Sequence, residues 1–271
     1  MNRVLLIDAY NMIHRSRFGW MKGPDSITFN FFRALKSEIA RHEATKVYIV
    51  SEGHPIHRMI ESDGQYKANR EKLADEGFHR QKREIFELCK YLPVTIIRHP
   101  DFECDDVIGT LAEEYAAADD KVIICSSDSD FIQSLVYENV SLWNPVKKKF
   151  IDRWPVDYLT WKGLKGDATD NVPGIKGVGE KTAFKLASDL NLLEEFLDKK
   201  PGRRETYNSA KRQITLSKVD RKCQRLEEKS YKFMEKCLFD EFKNREFKSI
   251  IGNAWQKWKN TMEKIDNETN R

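Results

Sequence analysis

The chain has 271 residues, of which 40% are hydrophobic and 33% are charged, a composition typical of a soluble globular protein. The first apolar run has only four residues before Asp8, too short for a signal peptide, and no uncharged run approaches the roughly 18 residues that span a bilayer. Five cysteines, an odd number without a CxxC pair, indicate reduced thiols in a cytoplasm rather than a disulfide framework or a zinc site.

Short apolar runs follow one another along the first half of the chain and predict β-strands at residues 4–7, 47–50, 94–97, 122–125 and 140–143. Between most of them apolar residues recur with helical spacing, which predicts helices that include residues 29–42, 83–92 and 105–116. Continuous β-branched runs alternating with helices favour an α/β fold, with a mostly parallel central sheet flanked by helices. From about Trp154 the β pattern fades, and the remainder is predicted to be helical.

Acidic residues follow the predicted strands where the chain leaves the sheet. In an open α/β sheet the carboxyl ends of parallel strands face one crevice, so we expect these acids to converge. Acids at a helix start also occur as ordinary capping residues, which is the alternative for Asp105 or Asp106. The full set at the strand exits comprises Asp8, Glu52, Glu103, Asp105, Asp106, Asp128 and Asp130.

A buried group of carboxylates repels itself, and divalent cations are the usual means of keeping several of them ionised together. Oxygen ligands without histidine or cysteine favour Mg²⁺ or Mn²⁺ over zinc. Two such ions about 4 Å apart can activate a water and stabilise the attacking and leaving oxygens at a phosphodiester. The pattern therefore predicts that Asp128 and Asp130 are metal ligands.

Six segments, in this order, resemble the motifs of the structure-specific 5′ nucleases, which include flap endonucleases, the 5′-nuclease domains of DNA polymerase I and phage 5′→3′ exonucleases. They are LLIDAYNMIHR (5–15), VSEG (50–53), YKANR (66–70), FECDDVIGTLA (102–112), SSDSDFIQ (126–133) and GLKGDATDNVPGIKGVGEKTA (163–183). The likeness covers roughly residues 3 to 220, and the stand-alone length is most similar to the phage type. It implies a PIN-like nuclease core at 1–153 with a helical arch at about 53–85. A helical C-terminal region at 154–271 would then contain a helix-hairpin-helix at about 163–190.

The resemblance assigns nine carboxylates to a site for two or more Mg²⁺ ions, for which Mn²⁺ is an alternative. The first ion would use mainly Glu52, Glu103, Asp105 and Asp106, and the second would lie nearer Asp128, Asp130, Asp167 and Asp170, with Asp8 placed towards both. Glu52 stands where the family usually has aspartate, so it would back away or bind through water, and the alternative is that it points to solvent. Setting aside these nine of the 43 acids leaves 34 against 47 lysines and arginines, a cationic surface suited to phosphate.

Residues 65–72 carry Lys67 and Arg70 at helical i,i+3 spacing, so both side chains are expected on one side of a helix. The resemblance places them in an arch above the metals, through which the free 5′ end passes, as catalytic residues at the scissile phosphate together with the acids of the site. A surface pair is the alternative. By the same resemblance Arg15 contacts DNA, and Tyr66 either stacks on a base or packs inside the arch.

Glycines recur in residues 172–183 before a predicted helix that begins near Glu180. Such a turn exposes backbone N–H groups to a phosphate, and the helix N-terminus adds its dipole. The resemblance makes this a helix-hairpin-helix that grips duplex DNA without reading bases and often holds K⁺. Its DNA-binding residues would be Gly174, Lys176, Gly177, Gly179 and Lys181.

The sequence therefore predicts a Mg²⁺-dependent flap endonuclease and 5′→3′ exonuclease that cuts DNA near single-strand/duplex junctions in replication or repair, with RNA primers on DNA as further substrates. We expect a cytoplasmic monomer without membrane association, with replication proteins as candidate partners. Two alternatives stay open: a PIN-type ribonuclease, and a structure-specific DNA-binding protein with a degenerate site. The C-terminal tail has Trp255 and Trp258 at helical spacing and is predicted to pack on the domain, with a partner contact as the alternative.

Overall fold

The computed structural model describes residues 1–69 and 75–269 and is built around a central sheet. The strands within the described residues are β1 (Arg3–Asp8), β2 (Lys46–Val50), β3 (Thr95–Arg98), β4 (Lys121–Cys125), β5 (Val140–Asn144), β6 (Lys149–Ile151), β7 (Gly166–Asp167), β8 (Val172–Pro173) and β9 (Glu227–Ser230). Seven of them form the sheet β6-β5-β4-β1-β2-β3-β9, and β7 pairs with β8 separately. The five inner strands, β5-β4-β1-β2-β3, are parallel to one another and the two edge strands are antiparallel, so the predicted mostly parallel sheet is confirmed.

Helices cover both faces of the sheet. Those within the described residues are α1 (Ala9–Ser16), α2 (Ser26–His42), α3 (Ile56–Glu61), α4 (Glu76–Cys89), α5 (Cys104–Ala117), α6 (Tyr158–Lys165), α7 (Glu180–Ala187), α8 (Leu190–Asp198), α9 (Arg203–Ile214), α10 (Glu235–Asn244), α11 (Lys248–Ile251) and α12 (Trp255–Thr269), with a 3₁₀ helix at Ser129–Val136. The predicted helices at 29–42, 83–92 and 105–116 correspond to α2, α4 and α5. The helix expected near Glu180 is α7.

Alternation along β1 divides its side chains between two hydrophobic clusters, one on each face of the sheet. Val4 and Leu6 belong to the cluster formed with α5 and with α6 to α9. Leu5 and Ile7 belong to the cluster formed with α1, α2, α4 and α10 to α12. Because both faces are covered, β1 has no polar face, which is the physical reason for its continuous apolar run.

The carboxyl ends of the inner strands meet at one edge of the sheet. Asp8 lies opposite Val50 in the ladder between β1 and β2, and Ile7 lies opposite Cys125 in the ladder between β1 and β4. The residues that follow these strands therefore leave the sheet side by side, and α5 begins at the same edge. This is where an open α/β sheet places its functional crevice.

The prediction that β structure ends near residue 154 is wrong, because β9 adds an antiparallel edge strand to β3. Ser230 lies opposite Thr95, and Glu227 lies opposite Arg98. All four residues of β9 are exposed and its sequence, EEKS, is polar. An edge strand that faces solvent needs no apolar pattern, and charged side chains protect it from further pairing. The hydrophobic signal used for the other strands is therefore missing here.

The helix expected through Tyr66 and Arg70 is also wrong over its described part, where residues 62–69 form turns after α3. Lys67 has a φ of 56°, in the left-handed region, and its N–H donates to the carbonyl of Asp170 at 2.9 Å. The turn at Lys67 is thus held by a tertiary hydrogen bond instead of a helical one. Arg70 lies outside the described residues.

The C-terminal tail packs on the domain, as the spacing of its tryptophans predicted. Trp258 and Met262 of α12 are buried in the cluster that contains α2 and α10, and Trp255 stacks on Trp258 with ring centroids 6.2 Å apart. Across residues 1–69 and 75–269, no helix combines the length and the apolar character that crossing a bilayer requires.

Candidate active site

Asp8 lies at the centre of the sheet edge, at the end of β1 and between β2 and β4. It also caps α1, because its Oδ1 accepts a hydrogen bond from the N–H of Asn11 at 2.9 Å. Its Oδ2 accepts one from the hydroxyl of Ser126, beyond β4, at 2.8 Å. Burial raises the pKa of Asp8, and these two hydrogen bonds lower it. The fold thus holds a buried carboxylate at the point where the strand exits converge.

Glu52 and Asp105 lie beside Asp8. The N–H of Cys104, at the start of α5, donates to Glu52 Oε2 at 3.3 Å, so Glu52 lies against this helix and does not point to solvent. Burial, and then the charge of Glu103, raise the pKa of Glu52 to about 6. Burial and the charge of Asp8 raise the pKa of Asp105 well above its ordinary value. Ligand atoms of Asp8, Cys104 and Asp105 lie within 4.8 Å of one another.

A second group of carboxylates lies where β4 continues into the 3₁₀ helix. Asp128 caps that helix, with its Oδ1 accepting from the N–H of Asp130 at 2.9 Å. Asp130 faces Asp167 and Asp170 of the β7–β8 hairpin, and ligand oxygens of these three residues lie within 4.8 Å of one another. Burial raises the pKa of Asp130 to about 6, although the nearby ammonium of Lys162 lowers it.

Lys162 lies among these acids, and the sequence reasoning missed it. Its ammonium bonds to Asp130 Oδ1 and lies 2.7 Å from Asp167 Oδ2, and the residue is only 6% exposed. Burial alone would lower the pKa of Lys162, but Asp130 raises it above its ordinary value. The signal was a lysine directly after the buried Trp161 and one turn after the buried Tyr158, on the apolar side of α6.

Lys67 and Tyr66, in the turn after α3, contact two of the acids. The ammonium of Lys67 bonds to Glu103 Oε1 and lies 3.7 Å from Asp170 Oδ2. The hydroxyl of Tyr66 donates to Glu103 Oε2 at 2.9 Å and to Asp170 Oδ2 at 3.2 Å. The ring of Tyr66 is buried with Val172 and Ile214. In this geometry Tyr66 packs inside the site, and its ring is not free to stack on a base.

Asp106 differs from the expectation that it serves the first metal. It is fully buried and forms a bidentate ion pair with Arg58 of α3, with both N–O distances 2.7 Å. The same guanidinium donates to Glu103 Oε2 at 2.8 Å. Asp106 is on α5 with the predicted acids, but its side chain faces this arginine and not Asp105. Arg58 was missed too, and no local pattern around it marks it.

The donor set fits divalent cations. Within the described residues two groups of three ligand atoms occur, and all are carboxylate oxygens except the sulfur of Cys104. The pKa values of Asp8, Glu52, Asp105 and Asp130 are raised, mainly by burial, so a nearby positive charge would stabilise their ionised forms. Hard oxygen donors of this kind suit Mg²⁺ or Mn²⁺. The two groups would accommodate one ion each.

After the β7–β8 hairpin, residues 174–179 form a glycine-rich turn that leads into α7. A side chain at Gly174 would meet the carbonyl oxygen of Lys165 at 2.1 Å, and Gly177 has a φ of 84°, so both positions require glycine. Lys176 and Lys181 are exposed on either side of the start of α7, where Gly179 is the N-cap. The other predicted DNA contact, Arg15, lies half-buried on the last turn of α1.

Fold and site together define a class: an α/β core whose strand ends gather carboxylates suited to divalent cations, joined to a helical region. Two sequence families match the chain. The one described as "5'-3' exonuclease, N-terminal resolvase-like domain" matches residues 3–158, and the one described as "5'-3' exonuclease, C-terminal SAM fold" matches residues 153–229. The chain therefore belongs to the 5′-3′ exonuclease family of metal-dependent nucleases.

Curated relatives agree with this membership. The 5′-3′ exonuclease of Aquifex aeolicus is 32% identical over 215 residues, which is 73% of this chain and 73% of that protein. DNA polymerase I of Treponema pallidum is 34% identical over 210 residues, which is 70% of this chain. The chain spans only 21% of that polymerase.

Solved structures agree on the fold. A complex of the bacteriophage T5 flap endonuclease with DNA and metal ions is 17% identical, with a TM-score of 0.63, and the match covers 99% of this chain and all of that one. A T5 5′-exonuclease with bound zinc has a TM-score of 0.61 at 20% identity, covering 79% of this chain and 86% of that one. At these identities the likeness establishes the fold.

Proposed function

We propose that the chain is a Mg²⁺-dependent, structure-specific 5′ nuclease that hydrolyses DNA near single-strand/duplex junctions, as a flap endonuclease and 5′→3′ exonuclease. The observation that carries the proposal is the gathering of carboxylates from four strand exits and the β7–β8 hairpin at one sheet edge, with Lys67 against them. Such a site suits cleavage of a phosphodiester, whose charge needs both cations and a positioned lysine.

Two ions would be held by separate parts of the acidic edge, the group of carboxylates gathered where the strands leave the sheet. Glu52, Glu103 and Asp105 would serve the first, and Asp128, Asp130, Asp167 and Asp170 the second, with Asp8 between them. When bound, such ions lower the pKa of water and stabilise charge on the attacking and leaving oxygens. Mn²⁺ would substitute for Mg²⁺, because both prefer the same oxygen ligands.

The protein's own cations would act on the phosphate. Lys67, which pairs with Glu103 and Asp170, would turn its ammonium to the scissile phosphate and stabilise the charge that develops there. Arg70 would contact the same phosphate or its neighbour. Tyr66 would keep Glu103 and Asp170 in place through its hydroxyl, which bonds to both.

The glycine-rich turn before α7, residues 174–179, would hold the duplex by its backbone. Its glycines let the chain approach a phosphate closely, and exposed Lys176 and Lys181 add charge. The same turn would hold a K⁺ ion. Arg15 would contribute a further DNA contact. Contacts to phosphate position a duplex without reading its sequence, so selection would depend on shape and on the free 5′ end. RNA primers on DNA would then be substrates as well.

The setting we propose is a cytoplasmic monomer that acts in DNA replication or repair, with replication proteins as partners. All five cysteines lie among the described residues and are free thiols, in keeping with a reducing compartment. We retain the division into a nuclease core, 1–153, with an arch at about 53–85, and a C-terminal region, 154–271, with the helix-hairpin-helix at about 163–190.

Cleavage of an end-labelled 5′-flap duplex, with and without Mg²⁺, tests the proposal. Incision near the junction only when Mg²⁺ is present is the expected result. A single-stranded RNA of the same length serves as the control, since a PIN-type ribonuclease would cut it and spare the DNA flap. Flap binding without cleavage in either Mg²⁺ or Mn²⁺ would mean a DNA-binding protein with a degenerate site.

A further inference from the structure

Arg58 is a buried arginine whose donors are all used. It belongs to α3, is 2% exposed and lies beside the acidic edge. Its Nη1 donates to Glu103 Oε2 and Asp106 Oδ2, and its Nη2 donates to Asp106 Oδ1 and to the carbonyl of Thr215 at 3.1 Å. Its Nε donates to the carbonyl of Gln213 at 2.8 Å. These five bonds match the five N–H donors of a guanidinium.

Asp106, the main acceptor of Arg58, has no oxygen left for a cation. Besides the two bonds from Arg58, its Oδ1 accepts from the N–H of Ser217 at 2.7 Å and its Oδ2 from the N–H of Glu103 at 3.2 Å. A carboxylate has about four lone-pair sites, and all four are occupied here. Since Asp106 is fully buried, a cation would have to displace this network to reach it.

Glu103 is held differently, with one oxygen fixed and the other facing the acids. Its Oε2 accepts from Arg58 and from the hydroxyl of Tyr66. Its Oε1 bonds to the ammonium of Lys67, a cation that can move away. The guanidinium therefore holds Oε2, while Oε1 has only the lysine ammonium as a partner, and Glu103 lines the same cavity as Asp105, Asp130 and Asp170.

Arg58 also connects the acidic edge to the C-terminal region. The two carbonyls it binds, those of Gln213 and Thr215, lie at the end of α9, where helix carbonyls lack partners within the helix and attract cations. One side chain thus joins α3, the start of α5 and the end of α9, which are separated by 45 to 157 residues in the sequence.

We propose that Arg58 is a positioning residue for the metal site. It fixes Glu103 with Oε1 towards the cluster, it serves as the counter-ion that keeps Asp106 out of the ligand set, and it makes this geometry depend on the docking of α9 against α3. The inference rests on the proposed function in one respect, namely that the acidic cluster binds divalent cations.

Mn²⁺ binding to the EDTA-treated full chain, followed by electron paramagnetic resonance, tests the proposal without relying on activity. Arg58→Met should weaken binding about tenfold to a hundredfold, because outer partners orient metal ligands. Arg58→Lys should not restore binding, since an ammonium cannot form the two-pronged pair with Asp106. The matched control is Arg212→Met, which removes an arginine that joins α9 to Glu61 of α3 at 2.7 Å without touching the acids, and it should bind Mn²⁺ normally.

A second pair of variants separates positioning from stability. Arg58→Met leaves Asp106 buried without its partner, so the urea midpoint should fall, and Asp106→Leu in the same chain should recover much of it. Mn²⁺ binding should stay weak in the double variant, because Glu103 is still not oriented. Recovery of full Mn²⁺ affinity in the double variant, or normal affinity in folded Arg58→Met, would overturn the proposal.

If Arg58→Met does not fold, Asp106→Asn and Glu103→Gln still test whether Glu103 is a metal ligand and Asp106 is not. Asp106→Asn should bind Mn²⁺ nearly as the unmodified chain does, and Glu103→Gln should bind it much more weakly. Equal losses in the two variants would make Asp106 a ligand and refute the inference. Flap cleavage by the unmodified chain is the separate readout: its failure in Mg²⁺ would sink the proposed function, whereas the Mn²⁺ series would still report on Arg58.

Discussion

Replacing Glu52 by glutamine should stabilise the metal-free protein near neutral pH. Burial and the charge of Glu103 raise the pKa of Glu52 from 4.5 to about 6 in the folded state. The folded protein therefore binds this proton more tightly than the unfolded chain does. Stability from Glu52 is fully present below about pH 4.5 and is lost as the pH rises through about 6. Glutamine does not titrate, and its carbonyl can still accept the hydrogen bond from the N–H of Cys104.

The size of the effect follows from the shift in pKa. One unit corresponds to about 1.4 kcal/mol, so the shift of Glu52 amounts to about 2 kcal/mol at pH values well above 6. Glu52 keeps some exposure to solvent, which screens its interactions and reduces the expected gain to about 1–2 kcal/mol. At about pH 4 the acid is mostly protonated in both states, and Glu52→Gln should then change stability little.

Urea unfolding at about pH 4 and about pH 7.5, in EDTA and in Mg²⁺, measures this effect. In EDTA the variant should gain stability only at the higher pH. In Mg²⁺ the gain should vanish, because a bound cation relieves the repulsion on the carboxylate, and the variant should need more Mg²⁺ for half-maximal cleavage. The exposed Glu138 gives the control, Glu138→Gln. A gain that is the same at both pH values, with an unchanged Mg²⁺ titration, would refute the reasoning.

Four further predictions concern the acids, two lysines and the glycine-rich turn before α7. Asp128→Asn and Asp130→Asn should each lower turnover at least about a hundredfold while flap binding in Ca²⁺ persists, because phosphate contacts elsewhere supply affinity. Lys67→Ala should slow single-turnover cleavage at saturating enzyme about 10²–10³-fold. Gly177→Val, at a φ of 84°, should instead raise the Kd for the duplex. Lys162→Met should lower the free energy of unfolding of the metal-free protein by about 3–5 kcal/mol, because it leaves two carboxylates without their partner, and by less in Mg²⁺.

The predictions for the aspartates and the two lysines each have a result that would contradict them. Normal cleavage in Mg²⁺ by both aspartate variants would remove them from the site. A change in Kd alone for Lys67→Ala would exclude its role at the reacting phosphate. Equal destabilisation by Lys162→Met in EDTA and in Mg²⁺, measured by urea unfolding, would mean that Lys162 stabilises packing and does not substitute for cation charge at the acids.

Much of the fold was predictable because its cause is local. A strand covered on both faces must be apolar along its length, so the apolar runs in the sequence predicted β1, β2 and β4. Parallel strands end at a common edge, so acids placed after them had to converge, and the structure brings Asp8 beside Asp105 as that rule requires. The turn before α7 was predictable from its glycines, because the backbone geometry at Gly174 and Gly177 requires glycine.

Other features depend on contacts between distant parts of the chain, and only the tertiary structure decided them. The edge strand β9 is polar because solvent covers it, and it is a strand only because β3 offers an unpaired edge. Lys67 lies in a left-handed turn because its N–H finds the carbonyl of Asp170, about a hundred residues away in sequence. No local pattern marks Arg58, and the position of Lys162 on the apolar side of α6 does not name its partners, since the carboxylates that pair with a buried cation come from distant parts of the chain.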